Sequence, residues 1–144
     1  MESKKDAKKE PKVTKEVDPN SANKETHAFM VMGTRFEVDK KYEIIDPIGS
    51  GAYGVVVAAK DTSMPQPQGG ESNLVAIKKI VKAFEHRVFS LRTYRELKIQ
   101  RLLEHENVLG IKRILKPKNR ESFNEIYVVS ELMETDLAQI IKSN

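Results

Sequence analysis

Cysteine and tryptophan are both missing from the 144 residues of this chain, and aromatic side chains make up only 6% of it. Without cysteine the chain can form no disulfide, no thiolate nucleophile and no cysteine-ligated zinc site. A cysteine-free sequence fits a reducing compartment, and we therefore expect a cytoplasmic or nuclear location.

Long apolar runs are also absent, and the first residues are charged. The sequence therefore predicts neither a membrane span nor a secretory signal. The formal net charge is only +4, and no aromatic residues alternate with the lysines, so no specific nucleic-acid partner is expected. The three histidines, His27, His86 and His105, are too dispersed for a metal site, and none is predicted.

Residues 1–35 open the chain, and to about residue 30 they are polar, with lysines that alternate with acids. They are predicted to form a disordered tail, because they hold too little apolar surface to offset the entropy of ordering. A basic docking or localisation signal is the alternative for this tail, although the interspersed acids argue against it. Order is expected from residue 36 to residue 144, which is a size for one domain.

The folded part is predicted to contain five short strands and one main helix. Strands are expected at 42–48, 55–59, 74–80, 108–115 and 126–129, and the helix at 87–103. Residues 63–73 have the composition of a loop, and a last short helix begins after Thr135 or Asp136. Antiparallel pairing of these strands gives an α+β fold, with the main helix between the third and fourth strands.

Residues 49–56, Gly-Ser-Gly-Ala-Tyr-Gly-Val-Val, carry the most informative pattern. Glycines in a turn let backbone N–H groups approach phosphate oxygens without interference from a Cβ atom. Dinucleotide-binding folds share this spacing, but they need a helix to begin at the loop. Here the β-branched residues 55–57 favour a strand after Gly54, which disfavours a dinucleotide oxidoreductase. A hairpin that binds no ligand remains the alternative.

A lysine follows on the next apolar run, Val75-Ala76-Ile77-Lys78. A lysine held on a strand beside a glycine-rich loop supplies a fixed positive charge for the same phosphates. The loop and Lys78 together predict a nucleoside triphosphate site of the protein-kinase kind.

Further stretches extend this pattern: Phe-Glu-His at 84–86, Arg-Thr-Tyr-Arg-Glu-Leu-Lys-Ile at 92–99 and Leu-Met-Glu-Thr-Asp-Leu at 132–137. With them the chain resembles the mitogen-activated protein kinase (MAP kinase) family, most of all its extracellular-signal-regulated branch, from about residue 36 to the end. The resemblance implies the N-terminal lobe of a protein kinase, with a five-stranded antiparallel sheet and one main helix.

The resemblance implies ATP as the ligand. Lys78 would contact the α- and β-phosphates, and Glu96 would pair with Lys78 and hold it in place; the alternative for Glu96 is an exposed helix carboxylate. The other nucleotide-binding residues would come from the glycine loop, the neighbouring strands and the hinge: Ile48, Gly49, Ser50, Gly51, Ala52, Tyr53, Gly54, Val55, Val56, Ala76, Ser130, Glu131, Met133 and Asp136.

The hinge residues have separate implied roles. The carbonyl of Glu131 and the amide of Met133 would bond the adenine edge. Ser130 would be the gatekeeper, and because it is smaller than is usual in the family, we expect a more open pocket behind the adenine. Asp136 would lie near the ribose or cap the last helix.

Apolar surfaces for the adenine are implied for Ile48, Val56 and Ala76, whose alternative is ordinary sheet core. Arg92 and Arg95, three apart on one helix face, are implied to bind a phosphothreonine of the activation loop. Their alternative is a solvated basic face.

The chain departs from the family pattern because it contains no His-Arg-Asp, no Asp-Phe-Gly and no activation loop. The catalytic base and the magnesium ligands of a kinase are therefore absent from it, although ATP and magnesium would serve a longer parent. We expect this polypeptide alone to be inactive, because one wall of the site cannot position and stabilise a transferring phosphoryl group.

Three functions remain open. The leading one is the ATP-binding lobe of a serine/threonine kinase, truncated before the catalytic loop, with upstream kinases and protein substrates as the parent's partners. The others are a short non-catalytic form that competes with a full-length kinase for partners, and a plain nucleotide-binding module.

The main helix is expected to expose an apolar face, which rests on the large lobe in kinases. We therefore expect the folded part of this chain to be marginally stable or to associate.

Overall fold

A computed structural model describes residues 13–16, 25–52, 54–65, 72–117, 119–121 and 123–143. The strands in these residues are β1 (Val13–Glu16), β2 (Thr26–Val31), β3 (Thr34–Asp39), β4 (Tyr42–Gly51), β5 (Gly54–Asp61), β6 (Leu74–Ile80), β7 (Ile111–Ile114) and β8 (Ile126–Glu131). The helices are α1 (Arg87–Leu102) and α2 (Leu137–Lys142).

The larger sheet has five antiparallel strands in the order β4-β5-β6-β8-β7. Helix α1 follows β6 in the chain, and β7 then forms the sheet edge beside β8. The predicted five-stranded antiparallel sheet with one main helix is thereby confirmed. Strand β7, the fourth of the five along the chain, begins at Ile111 rather than at the predicted residue 108. Of the predicted 63–73 loop, residues 66–71 lie outside the described part of the chain.

A second, three-stranded antiparallel sheet has the order β1-β2-β3. This sheet corrects the extent of the disordered tail predicted for residues 1–35, because β1, β2 and the start of β3 lie within that range. Order therefore begins before residue 36. Residues 1–12 and 17–24, which the same prediction covers, lie outside the described residues.

The hairpin formed by β2 and β3 is ordered because its alternate residues are apolar and buried. Phe29, Val31, Phe36 and Val38 belong to one core with residues of the larger sheet: Tyr42, Val55, Val57, Ala59, Val75, Ile77, Tyr127 and Val129. The two sheets thus pack face to face. The charged average composition of residues 1–35 conceals this alternation.

The larger sheet has two different faces, because successive side chains in a strand point to opposite sides. On its back face, Val75 and Ile77 are buried against the three-stranded sheet. On its front face, Ile80 and Val128 form a second cluster, to which Phe89 and Leu97 of α1 are packed. The front face, with α1 beside it, positions the site described below.

Helix α1 buries only one of its sides. Apolar side chains of α1 and α2 that stay exposed are Val88, Leu91, Ile99, Leu102, Leu137, Ile140 and Ile141. No helix in the described residues is long and apolar enough to cross a membrane.

Candidate functional site

A cavity of about 470 Å³ opens on the front face, between the end of β4 and the segment after β8. Predicted site residues that line it are Ile48, Val56, Ala76, Lys78, Ser130, Glu131, Met133 and Asp136. These residues come from four strands and from the segment before α2, so the sheet pairing brings them together.

The floor of the cavity is open because its side chains are small. Ala76 is opposite Ala58 on one neighbouring strand and opposite Ser130 on the other. Ile48, half exposed, and Val56 supply apolar surface above this floor. An apolar slot with a few polar groups at its ends is typical of a site for a flat aromatic ligand.

Lys78 and Glu96 form an ion pair at the inner end of the cavity. Nζ of Lys78 lies 2.9 Å from Oε1 of Glu96, and the two side chains are 37% and 45% exposed. Exposed pairs of this kind contribute at most about 1 kcal/mol to stability. A contribution to stability is therefore a weak explanation for this pair. A stronger explanation is that Glu96 holds the ammonium of Lys78 in place.

The fold requires glycine at one position of the β4–β5 turn but not at two others. Gly54 has a φ of 138°, and a Cβ at this position would lie 1.8 Å from the carbonyl oxygen of Lys79. The fold therefore requires glycine there. A Cβ at Gly49 or Gly51 would meet nothing within 4 Å, so packing requires neither glycine, and their open surroundings fit a phosphate cradle.

The other predicted loop residues are placed differently. Ser50 and Ala52 are exposed at the turn, and Tyr53 lies outside the described residues. Val55 was predicted among the nucleotide-binding residues, and its side chain is buried in the core between the sheets rather than at the cavity. The reason is the strand alternation, which turns Val56 to the front face and Val55 to the back.

Asp136 has a partner in its own helix. Its Oδ1 accepts a hydrogen bond from the backbone N–H of Gln139 at 2.8 Å, which caps α2. The same residue lines the cavity, so the capping alternative is observed without removing Asp136 from the site.

Arg92 and Arg95 are both exposed on α1. Arg92 also borders a small cavity of about 50 Å³ beside Lys78 and Glu96. The two guanidinium groups thus lie on the same helix as the glutamate of the ion pair.

Sequence reasoning missed several residues that line the main cavity: Leu109, Leu132, Glu134, Thr135 and Gln139. Gln139 was detectable, because it lies one helical turn after a capping aspartate. Leu109 carried no signal, since it precedes β7 in an irregular segment. Within the described residues, no group of three or more histidine, aspartate or glutamate side chains could hold a metal ion.

Comparison with known proteins adds independent findings. Residues 42–144 match the protein kinase domain family. Mitogen-activated protein kinase 4 of Oryza sativa subsp. japonica is 47% identical over 130 residues, which are 89% of this chain and 33% of that protein. Mitogen-activated protein kinase 7 of Arabidopsis thaliana is 49% identical over 118 residues, 82% of this chain and 30% of that protein. The chain thus spans about a third of the length of these curated relatives.

Proposed function

The chain belongs to the protein kinase family, in which it resembles MAP kinases, and we propose that it is the ATP-binding lobe of a serine/threonine kinase of this type. The Lys78–Glu96 pair, 2.9 Å apart beside an apolar cavity, carries the proposal. In the whole kinase, the γ-phosphoryl group of ATP would pass to serine or threonine hydroxyls of protein substrates.

The side chains that line the cavity suit the parts of ATP. Ile48, Val56 and Ala76 would enclose the adenine, and backbone groups of Glu131 and Met133 would bond its edge. The ammonium of Lys78 would neutralise charge on the α- and β-phosphates, with Glu96 holding its orientation, and the glycine loop would cover the phosphates.

Magnesium bound with ATP supplies further charge neutralisation during phosphoryl transfer. No residue of this chain is assigned to the metal. A polypeptide of these 144 residues is therefore expected to bind nucleotide without transferring phosphate, since the chain has neither a catalytic-loop aspartate nor Asp-Phe-Gly.

The resemblance to MAP kinases also implies how the whole kinase would be regulated. Arg92 and Arg95, exposed on α1, would receive a phosphothreonine of the activation loop in the whole kinase. Upstream kinases and protein substrates would be its partners, in the cytoplasm or the nucleus.

The test is binding of a fluorescent ATP analogue, mant-ATP, to the 144-residue chain. Lys78→Met and Glu96→Gln are expected to weaken binding, because they remove the ammonium and its orienting carboxylate. Lys82→Met is the matched control, since Lys82 is an exposed lysine that pairs only at the surface with Glu85, 3.2 Å away. Circular dichroism checks that each variant is folded. Equal affinity of Lys78→Met and Lys82→Met for mant-ATP would refute the proposal.

A second candidate is a non-catalytic form that competes with a full-length kinase for partners. The exposed apolar side chains of α1, Val88 and Leu102 among them, are the observation behind it, because exposed apolar surface often marks an interaction site; the same face would meet the large lobe in a whole kinase. Partner capture that survives Lys78→Ala but is lost in Val88→Ser would support this candidate over the first.

A further inference from the structure

Backbone groups on the outer edge of strand β3 form hydrogen bonds with side chains instead of with another strand. Among the described residues, β3 is the last strand of the three-stranded sheet, and such an edge normally offers free backbone groups to another strand. Here side chains of the larger sheet occupy two of those groups. Nζ of Lys79 donates to the carbonyl of Arg35, and the hydroxyl of Tyr127 accepts from the N–H of Glu37 at 3.0 Å.

Glu125 joins these two side chains into one network. Its Oε2 lies 2.6 Å from Nζ of Lys79, and its Oε1 accepts from the hydroxyl of Tyr127 at 2.9 Å. The ammonium of Lys79 also lies 5.9 Å from the ring centroid of Phe36 and 5.3 Å from that of Tyr127. The network therefore connects β3 with both β6 and β8.

Lys79 is only 4% exposed. Removing an ammonium from water is costly, and an apolar side chain of similar size commonly stabilises a protein as well as a buried ion pair does. A buried lysine at this position thus calls for a reason other than stability. The hydrogen bond of Lys79 supplies that reason, because a methionine could fill the same space but could not donate to the carbonyl of Arg35.

Lys79 also directly follows Lys78 in β6. Strand alternation sends the two ammonium groups to opposite faces of the sheet, one to Glu96 on the front and the other to the β2–β3 hairpin on the back. The same short piece of backbone is therefore anchored from both sides.

We propose that Lys79 and Tyr127 are positioning residues, which fasten the β2–β3 hairpin to the back of β6 and thereby hold Lys78 in place for the nucleotide. The effect on the nucleotide rests on the proposed function, whereas the fastening of β3 does not. The N-terminal hairpin is thus part of the ATP-binding lobe.

The experiment uses the 144-residue chain, with Tyr127→Phe and Lys79→Met as test variants. The matched controls are Tyr94→Phe and Lys82→Met, which alter exposed residues of the same types. Amide exchange, resolved by NMR, is measured for Glu37 and for Phe36, which is paired with Phe29 of β2. Affinity for mant-ATP is measured on the same samples.

Tyr127→Phe is expected to speed exchange of the Glu37 amide by about tenfold, while the Phe36 amide keeps its protection. Both test variants are expected to weaken mant-ATP binding about threefold to tenfold, and the controls are expected to change neither quantity. If Lys79→Met does not fold, Tyr127→Phe decides the matter, because it removes a single hydroxyl.

Unchanged exchange at Glu37 would overturn the proposal, and so would equally faster exchange in every strand, which is a general loss of stability. Faster exchange at Glu37 with unchanged mant-ATP affinity would overturn the link to Lys78. If the unsubstituted chain and Lys78→Met bind mant-ATP equally weakly, the proposed function fails, and exchange at Glu37 still decides whether β3 is fastened.

Discussion

Gly51 and Gly54 belong to one turn but are glycine for different reasons. Gly54→Ala is expected to lower the free energy of unfolding by about 2 kcal/mol or more, because its φ of 138° and the nearby carbonyl of Lys79 leave no room for a Cβ. Gly51→Ala is expected to keep that free energy and to weaken mant-ATP binding instead. Urea unfolding measures the first effect, and equal destabilisation by both substitutions would contradict the distinction.

Ser130 is expected to set the size of adenine analogue that the cavity admits. It lies opposite Ala76 on the cavity floor, and two small side chains leave space that a phenylalanine would fill. Relative to ATP, N6-benzyl-ATP should lose about tenfold or more in affinity on Ser130→Phe. Competition against mant-ATP measures both ligands, and an unchanged affinity ratio would show that the space is not used.

Tyr127 makes folding sensitive to alkaline pH. Burial, then the charge and hydrogen bond of Glu125, raises the pKa of its hydroxyl well above the ordinary value near 10, while Arg35 acts in the opposite direction. The folded chain keeps a proton that the unfolded chain releases, so stability falls as the pH rises above about 10. Compared with Tyr127→Phe, the unsubstituted chain should lose up to about 1.4 kcal/mol more per pH unit there. Urea unfolding at several alkaline pH values tests this, and parallel slopes would disprove it.

Among the elements, the five strands of the larger sheet were predictable and the β2–β3 hairpin was not. Each strand of the larger sheet is a short apolar run between turn residues, which is a local signal. The hairpin turn instead contains Met32 at a φ of 49°, followed by Gly33 at 76°. Asparagine or aspartate usually occupies the first of these positions, so the turn lacked its common signature. The apolar alternation of Phe36 and Val38 was the signal that remained.

Helix α2 depends on its cap more than α1 does, because it has only six residues and none of them is buried. Asp136→Ala should remove the bond to the Gln139 amide and cost about 1 kcal/mol of local stability. Asp136→Ser should keep the cap, while its shorter side chain should be unable to reach a ribose in the cavity. Amide exchange at Gln139 reports the cap, and affinity for unlabelled ATP, measured by calorimetry, reports whether Asp136 contacts the ribose. Loss of affinity in the alanine variant alone would assign Asp136 to capping only.

At the scale of the whole molecule, the two sheets share one core and are expected to unfold together. Phe36 is fully buried between them, and Phe36→Ala should cost about 3–5 kcal/mol through lost burial and the cavity left behind. Tyrosine fluorescence and circular dichroism should then follow one common transition. A separate transition for α1 and the larger sheet would show that the hairpin is an independent unit.

The sequence by itself determined the order of the five strands and α1, the glycine loop and the presence of Lys78, because these features rest on local patterns of a few residues. Only the tertiary structure decided which of them meet. Glu96 reaches Lys78 across 18 positions of sequence, a pair that the family resemblance implied but that no local pattern did. Tyr127 reaches Glu37 across 90 positions, and Val56 rather than Val55 faces the cavity. Such contacts depend on strand register and on how the sheets and α1 pack, which are properties of the whole chain and not of any short segment.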